Sequence, residues 1–421
     1  MLGRLLSLSV FLGFQSFSSL SSASKLGAVC FAPLSKPEAI EGLNFTERLP
    51  IASVSKLLTS HWIIKAKGLD YRFRTLVHVV KVEADQYDLH FQGSRDPYFG
   101  AEKFHYLISE LNKKGISKIR NMTFDENFKF FWFSDDPEVN KSIAVGFYIN
   151  SEPSADIVLK QLRAYGRLTQ GYDETLAKAR KLNLTMQENP TFTVDRIEFL
   201  KSSEFVMAPK GMTFSVASRN SADYLKEMNR NSNNHAANQI FEHLGSAQAY
   251  KKFIQENLKM SSKDISMLNG SGDRVDTPEG PKYNEATCEA TLRIIMDLHM
   301  DLIERKSSLA KVATIVGTNS GSATQLYNND LTRDSVVAKT GTVNPSVTLG
   351  GMASTQKGFI FFMFIVEPQG NFSEARRVIK KHLLELITKN GGAKPINGQS
   401  YSFFTADTES FSETKIKEIL K

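Results

Sequence analysis

Three short groups of residues in this chain have the types and spacing for acyl-transfer chemistry. The first is Ser53-Val54-Ser55-Lys56, at the start of a stretch with helical periodicity. A serine and a lysine three apart on a helix share one face, one turn from each other. The amine can then take the hydroxyl proton as the oxygen attacks a carbonyl. A helix N-terminus also favours the negative charge that develops there. The spacing alone is not selective, because S-x-x-K occurs five times, starting at Ser22, Ser53, Ser308, Ser354 and Ser412. The second group is Ser232-Asn233-Asn234, on a polar kink between two short helical patterns. Its hydroxyl can relay protons and its amide can hold a peptide carbonyl. Ser218-Arg219-Asn220 has the same form, and an ordinary helix-to-helix loop is rich in such residues. The third group, Lys339-Thr340-Gly341-Thr342, occurs once, on a predicted strand edge. Gly341 lets a substrate backbone approach, Lys339 and the threonine hydroxyls can hold a carboxylate, and Thr342 offers an N–H to an oxyanion. A glycine bulge with an exposed lysine would have the same sequence.

The conjunction separates the chemical reading from the bland one. The groups occur in the order S-x-x-K, S-x-N, K-T-G, on a helix start, an inter-helix loop and a strand. That set belongs to penicillin-binding proteins and class A β-lactamases. Ser308 lacks the downstream partners at suitable places, and Ser22, Ser354 and Ser412 fall in a leader, a strand run and the tail.

The elements that must position these residues are legible from periodicity. Val54, Leu57, Leu58 and Trp62 predict a helix over Ser53–Gly68, entered after Pro50 and closed by Gly68. LVHVVKVEADQYDLHF predicts two strands around a turn, and Phe104, Leu107, Ile108 and Leu111 a helix closed by Gly115. SIAVGFYIN and TFTVDRIEFL read as strands, with helical patterning over Ala155–Leu168 between them. Residues 76–207 therefore have the elements of a separate α+β domain. Ala222–Met228, His235–Leu244, Thr287–Leu302 and Glu374–Thr388 read as helices. VVAKTGTV, SVTLGGMAST and FIFFMFIVE read as an antiparallel meander. The last thirty residues give no clear pattern.

Composition bounds the class. The chain has 421 residues, 41% hydrophobic and 23% charged, with only two cysteines, which excludes a disordered or disulfide-stapled protein. A net charge of +7 from 52 basic and 45 acidic side chains, well interspersed, gives no nucleic-acid footprint. It suits a polyanionic wall, a membrane surface or a carboxylate-rich substrate. Arg4, the apolar run Leu5–Phe17 and the small residues Ser21, Ser22 and Ala23 predict a signal peptide over 1–23. The run is too short to span a bilayer, and no longer one follows, so no stable membrane span is expected. Export would place the chain in the periplasm or outside the cell, where disulfides form. Cys30 and Cys288 nonetheless read as two buried thiols, since two isolated cysteines carry little pairing information. Eight scattered histidines without H-E-x-x-H predict no metal, and the chemistry needs no cofactor.

Several stretches resemble the low-molecular-mass class C penicillin-binding proteins, the serine D-Ala-D-Ala carboxypeptidase/endopeptidase family of S13 type. RLPIASVSK resembles the family's serine motif, GLDYRFRT the segment after the serine helix, and GSRDPYFG a stretch of its inserted domain. NSNNHAANQIFEHLG resembles the S-x-N region, LNGSG a turn of the family, and AKTGTV its strand motif. Together they run from residue 48 to about 365. The resemblance implies an α+β fold: a β-lactamase/transpeptidase-like serine domain, an antiparallel sheet flanked by helices, over 24–75 and 208–421, with a smaller inserted α+β domain over 76–207.

It also implies roles. Ser53 would attack a D-Ala-D-X carbonyl with Lys56 as general base, and Ser232 and Lys339 would pass the proton to the leaving amine. Asn234 would hold the substrate amide, the N–H groups of Ser53 and Thr342 the oxyanion, and Thr340 and Thr342, flanking Gly341, the terminal carboxylate. Peptidoglycan stem peptides and cross-links would be the substrates and β-lactams covalent inhibitors, with endopeptidase and carboxypeptidase activity both expected. The sequence departs from the family in two ways. The insertion has room for one extra domain where larger relatives carry two, and Asn269 stands where Asp usually precedes Gly-Ser-Gly. Two other readings share the acylation machinery: an unusual β-lactamase, and a wall-binding protein with weak or no turnover. A class A β-lactamase needs Glu three residues before a Leu-Asn pair. The four such positions here hold Ile40, Ile108, Ala179 and Ile265.

Overall fold

The computed structural model describes residues 24–130, 155–164, 168–398 and 400–414. The expected signal peptide and the expected strand SIAVGFYIN lie outside them. Among the described residues the fold is α+β, built around two six-stranded sheets.

The first sheet is antiparallel throughout. Its order is Thr314–Ile315, Val336–Val343, Ser346–Thr355, Gly358–Glu367, Lys25–Pro33 and Glu41–Leu43. The three central strands form the expected meander. Gly358–Glu367 is apolar almost without interruption because both of its faces are covered. Phe361, Met363 and Ile365 pack on one side with Leu57, Leu58, Ile294, Ile295 and Leu298 of two helices, Ser55–Lys67 and Cys288–Glu304. Phe362, Phe364 and Val366 pack on the other with Ala375, Ile379, Leu383 and Ile387 of the helix Phe372–Lys389. Alternate residues of one strand thus enter two different cores. The helix Cys288–Glu304 starts at Thr287, whose hydroxyl accepts from Ala290 N at 3.0 Å, an N-cap of the usual kind.

One expectation fails here. Cys30 and Cys288, read as buried thiols, form a disulfide with their Cα atoms 5.9 Å apart. Cys30 lies on the strand Lys25–Pro33, paired with Met363, and Cys288 opens the helix packed across that strand. Their sequence separation of 258 conceals the contact in the sequence.

The second sheet runs Phe411–Glu413, Met212–Ala217, Arg74–Lys81, Gln86–Gln92, Lys118–Phe124, Thr193–Phe199. Its first three pairings are antiparallel and its last two parallel. The predicted stripe Phe104, Leu107, Ile108, Leu111, on the helix Ala101–Lys113, covers one face and meets Val77, Leu89, Phe91, Ile119 and Phe214. This sheet includes the strand Met212–Ala217 and a strand from the tail, so its pairing reaches beyond residues 76–207. Asp96 forms a buried ion pair with Lys103, and Arg72 Nη1 contacts Asp407 Oδ2 at 2.9 Å.

Candidate active site

Ser53 stands in a short 3-10 turn, Ala52–Val54, that leads into the helix Ser55–Lys67. Ala52 is held at φ +48°, a left-handed conformation that L residues adopt only where the surroundings enforce it. The neighbouring strand provides that constraint. Ser346 Oγ donates to Pro50 O at 2.7 Å and Thr348 Oγ1 to Ile51 O at 3.1 Å. Gly341, which pairs with Thr348 across the sheet, lies so close that a Cβ there would be 2.8 Å from Ser53 N.

Lys56 is fully buried, and its Nζ donates to Ser53 Oγ at 2.9 Å, to Asn234 Oδ1 at 2.6 Å and to Ser271 O at 2.9 Å. Burial drives its pKa well below that of a free lysine, and the nearby Lys339 pushes the same way, while Asp273 opposes them.

Ser232 is the C-cap of the helix Ser221–Asn231, at φ +55°, and Asn233 is the N-cap of the next helix, Asn234–His243. The predicted polar kink is therefore a cap-to-cap junction. Asn233 N closes the first helix on Met228 O at 2.9 Å, and its side chain accepts from Ala236 N at 3.0 Å to open the second. That junction holds Ser232 Oγ 2.9 Å from Nζ of Lys339. Lys339 is fully buried on the strand Val336–Val343, and burial lowers its pKa to about 7.

Ser53, Lys56, Ser232, Asn234 and Lys339 are thus brought together by two lysine-centred sets of hydrogen bonds. Thr340 Oγ1 lies 2.7 Å from Ser322 Oγ, while Thr342 is exposed on the same strand. Sequence reasoning did not find Ser322, which opens the short helix Ser322–Tyr327, because no motif includes it.

The turn Leu268-Asn269-Gly270-Ser271-Gly272 has a structural reason for its glycines. A Cβ on Gly270 would lie 2.1 Å from Ala237 O, and one on Gly272, at φ +79°, would lie 1.8 Å from Ala52 O. The turn is wedged between the serine turn and the helix Asn234–His243, and it presents Ser271 O to Lys56. Asn269 closes it, accepting from Gly272 N at 2.8 Å. Asn284 Nδ2 ties it to the serine helix through Ser55 Oγ at 3.0 Å. Asp273, also missed by the motifs, follows directly and accepts from Asn234 Nδ2 at 3.1 Å. Among the described residues, no cluster of three or more His, Cys, Asp or Glu side chains is placed to hold a metal, and no helix is long and apolar enough to cross a membrane.

Two buried lysine amines, each hydrogen-bonded to a serine hydroxyl where a helix start meets a β-strand, fit the arrangement of a serine acyl-transfer site of the transpeptidase type. Comparison with known proteins agrees. Residues 24–140 match the D-Ala-D-Ala carboxypeptidase 3 (S13) family. The predatory endopeptidase Bd3459 of Bdellovibrio bacteriovorus, solved in complex with the immunity protein Bd3460, is 31% identical with a TM-score of 0.85. The match covers 93% of this chain and all of that one. A second predatory endopeptidase of that organism, Bd0816, is 30% identical over 92% of this chain and all of its own, with a TM-score of 0.83. Penicillin-binding protein 4 of Haemophilus influenzae has the same fold at 14% identity, with a TM-score of 0.59 over 87% of this chain and 97% of that one. No curated protein sequence matches the chain. The chain belongs to the S13 family of serine D-Ala-D-Ala peptidases.

Proposed function

We propose that the protein is a penicillin-binding D,D-endopeptidase, with carboxypeptidase activity, that cleaves D-Ala-D-X bonds in peptidoglycan stem peptides and cross-links. The observation that carries this reading is that each of two fully buried lysines sits 2.9 Å from a serine hydroxyl. Ser53 Oγ attacks the D-Ala carbonyl, and neutral Lys56 takes its proton. The tetrahedral oxyanion is held by the N–H groups of Ser53 and Thr342. Asn234 holds the substrate amide, and Thr340 and Thr342 the terminal carboxylate, with Gly341 giving the substrate backbone access to the strand. Ser232, hydrogen-bonded to Lys339, delivers the proton to the leaving amine. Water then releases the shortened peptide from Ser53.

The endopeptidase emphasis is supported by the two Bdellovibrio relatives, which are described as predatory endopeptidases; one has been solved acylated by penicillin G. An insert smaller than that of larger relatives would leave room for a cross-linked donor. We also propose that the described chain is organised as a catalytic domain over 24–75 and 208–421 with an insert over 76–207, whose sheet borrows the strands Met212–Ala217 and Phe411–Glu413 from the flanking segments, and that it acts in the periplasm or outside the cell after loss of residues 1–23. The Cys30–Cys288 disulfide supports an oxidising compartment.

Mass spectrometry after incubation with penicillin, followed by chromatography of digested cross-linked peptidoglycan, tests the reading. A covalent adduct on Ser53 and loss of cross-linked dimers are expected. An adduct without any change in muropeptides would leave a wall-binding protein, and no adduct would refute the site.

A further inference from the structure

Asn234 bridges two groups of opposite character. Its Oδ1 accepts from Lys56 Nζ at 2.6 Å, and its Nδ2 donates to Asp273 Oδ2 at 3.1 Å. An ionised carboxylate can only accept, so it commits the NH2 end of the amide to itself. We propose that Asp273 is a positioning residue that fixes the amide of Asn234 and, through it, aims the lone pair of Lys56 at Ser53. The inference rests on the reading of Ser53 as nucleophile and Lys56 as base.

The need for such a residue arises when Lys56 is neutral. As an ammonium it has three N–H donors and three acceptors, Ser53 Oγ, Asn234 Oδ1 and Ser271 O. As a base it keeps two N–H groups and one lone pair. Ser271 contributes a backbone carbonyl, which only accepts. An amide free to turn would present its NH2 to the lone pair and draw it away from the serine. With Nδ2 held by Asp273, Asn234 presents an acceptor in both protonation states. The two N–H groups then go to Ser271 O and Asn234 Oδ1, and the lone pair is left facing Ser53 Oγ. The arrangement uses one of the two N–H bonds of Asn234 and leaves the other for a substrate carbonyl.

Asp273 also acts by charge. The charged groups bearing on Lys56 are Lys339 from the central strand, which lowers its pKa, and Asp273 from the turn, which raises it. Arg274 gives its backbone N–H to Asp273 Oδ1 at 2.8 Å, while its side chain turns to Asp276 at 3.4 Å. His235, beside Asn234, is buried, and burial holds its pKa well below that of a free imidazole. Replacing Asp273 therefore has two separable effects. Losing the acceptor frees the amide and lowers the maximal acylation rate. Losing the charge lowers the pKa of Lys56 further and moves the acid limb of the rate profile to lower pH.

The test is the rate of acylation by a fluorescent penicillin, followed from about pH 5 to about pH 10, for the unaltered protein, Asp273→Asn and Asp273→Ala. Asp273→Asn keeps an oxygen that can accept from Asn234 but has no charge. Asp273→Ala is expected to lower the plateau by about 10- to 100-fold and Asp273→Asn by no more than about threefold. Both should move the acid limb to lower pH. An unchanged plateau in Asp273→Ala overturns the proposal, as does an equal loss in both variants with unmoved limbs, which would mark a purely structural role. If Asp273→Ala does not fold, the limb of Asp273→Asn decides, and an unmoved limb overturns the proposal. Ser53→Ala run alongside keeps the two readings apart. Labelling of that variant, or an unaltered protein without an acid limb, would fault the base and nucleophile rather than Asp273.

Discussion

Lys339 Nζ donates to Ser232 Oγ at 2.9 Å, across 107 residues of sequence. Lys56 Nζ stands at the same distance from Ser53 Oγ within a single helical turn. One pair is local and the other is assembled by the fold, yet burial acts on both amines in the same way. Removal from water disfavours the ammonium, so each lysine gives up its proton at a lower pH than a free one. Amines so tuned can serve as bases near neutrality.

Ser53→Ala should abolish the penicillin adduct while leaving the melting temperature nearly unchanged. Lys56→Met should slow acylation by about 10²- to 10⁴-fold, the usual worth of a positioned general base. Stopped-flow acylation kinetics check both, and an unaltered rate in Lys56→Met would remove that lysine as the base.

Gly341→Ala should damage acylation more than stability. The new Cβ would meet Ser53 N at 2.8 Å and Thr348 Oγ1 at 2.3 Å, displacing the proposed oxyanion donor. Loss of one such donor is worth about 10²- to 10³-fold, against an overpacking cost of about 1–3 kcal/mol. Acylation rate and urea denaturation, measured on the same sample, separate the two effects.

The depressed pKa of Lys339 has a consequence for stability. Its folded value of about 7 lies below the value of a free lysine. Between the two, the unfolded chain binds more protons than the folded one, so this group makes stability rise with pH across that window. Below about pH 7 its contribution is level and unfavourable. Lys339→Met should therefore flatten the rise in unfolding free energy between neutral and alkaline pH, as read by denaturant titration. A rise as steep as that of the unaltered protein would contradict the assignment.

Reduction of Cys30–Cys288, or replacement of both by serine, should cost about 2–5 kcal/mol, because the bond ties the strand Lys25–Pro33 to the helix Cys288–Glu304 over 258 residues. Calorimetry with and without reductant measures this. An identical melting temperature would mean that packing alone holds the two elements together.

Asp96 and Lys103 form an ion pair with both side chains wholly buried. Lys103→Met should destabilise by about 3–5 kcal/mol, since it strands a buried carboxylate, and Asp96→Leu combined with it should recover much of that loss. Denaturant titration of the single and double variants checks the sign, and a double variant no better than the single would count against stranding as the cause.

The sequence determined a good deal by itself. Val54, Leu57, Leu58 and Trp62 placed the serine helix. The apolar runs around Lys339 placed the meander, and the polar run before His235 placed the break between two helices. The serine–lysine pair was legible too, since a residue in the turn that leads into a helix lies one turn from the helical residue three positions on. Such patterns report which face of an element is buried, and they do not report what it is buried against. Tertiary structure alone decided that Cys30 meets Cys288, that Phe411–Glu413 adds a strand to the second sheet, and that Ser322 approaches Thr340. It also decided that Asp273 and Ser271 complete the surroundings of Lys56. Each of these contacts depends on atoms about 3 Å apart that belong to separate elements. Periodicity fixes the elements, but a hydrogen bond between them exists only once the cores have set their positions.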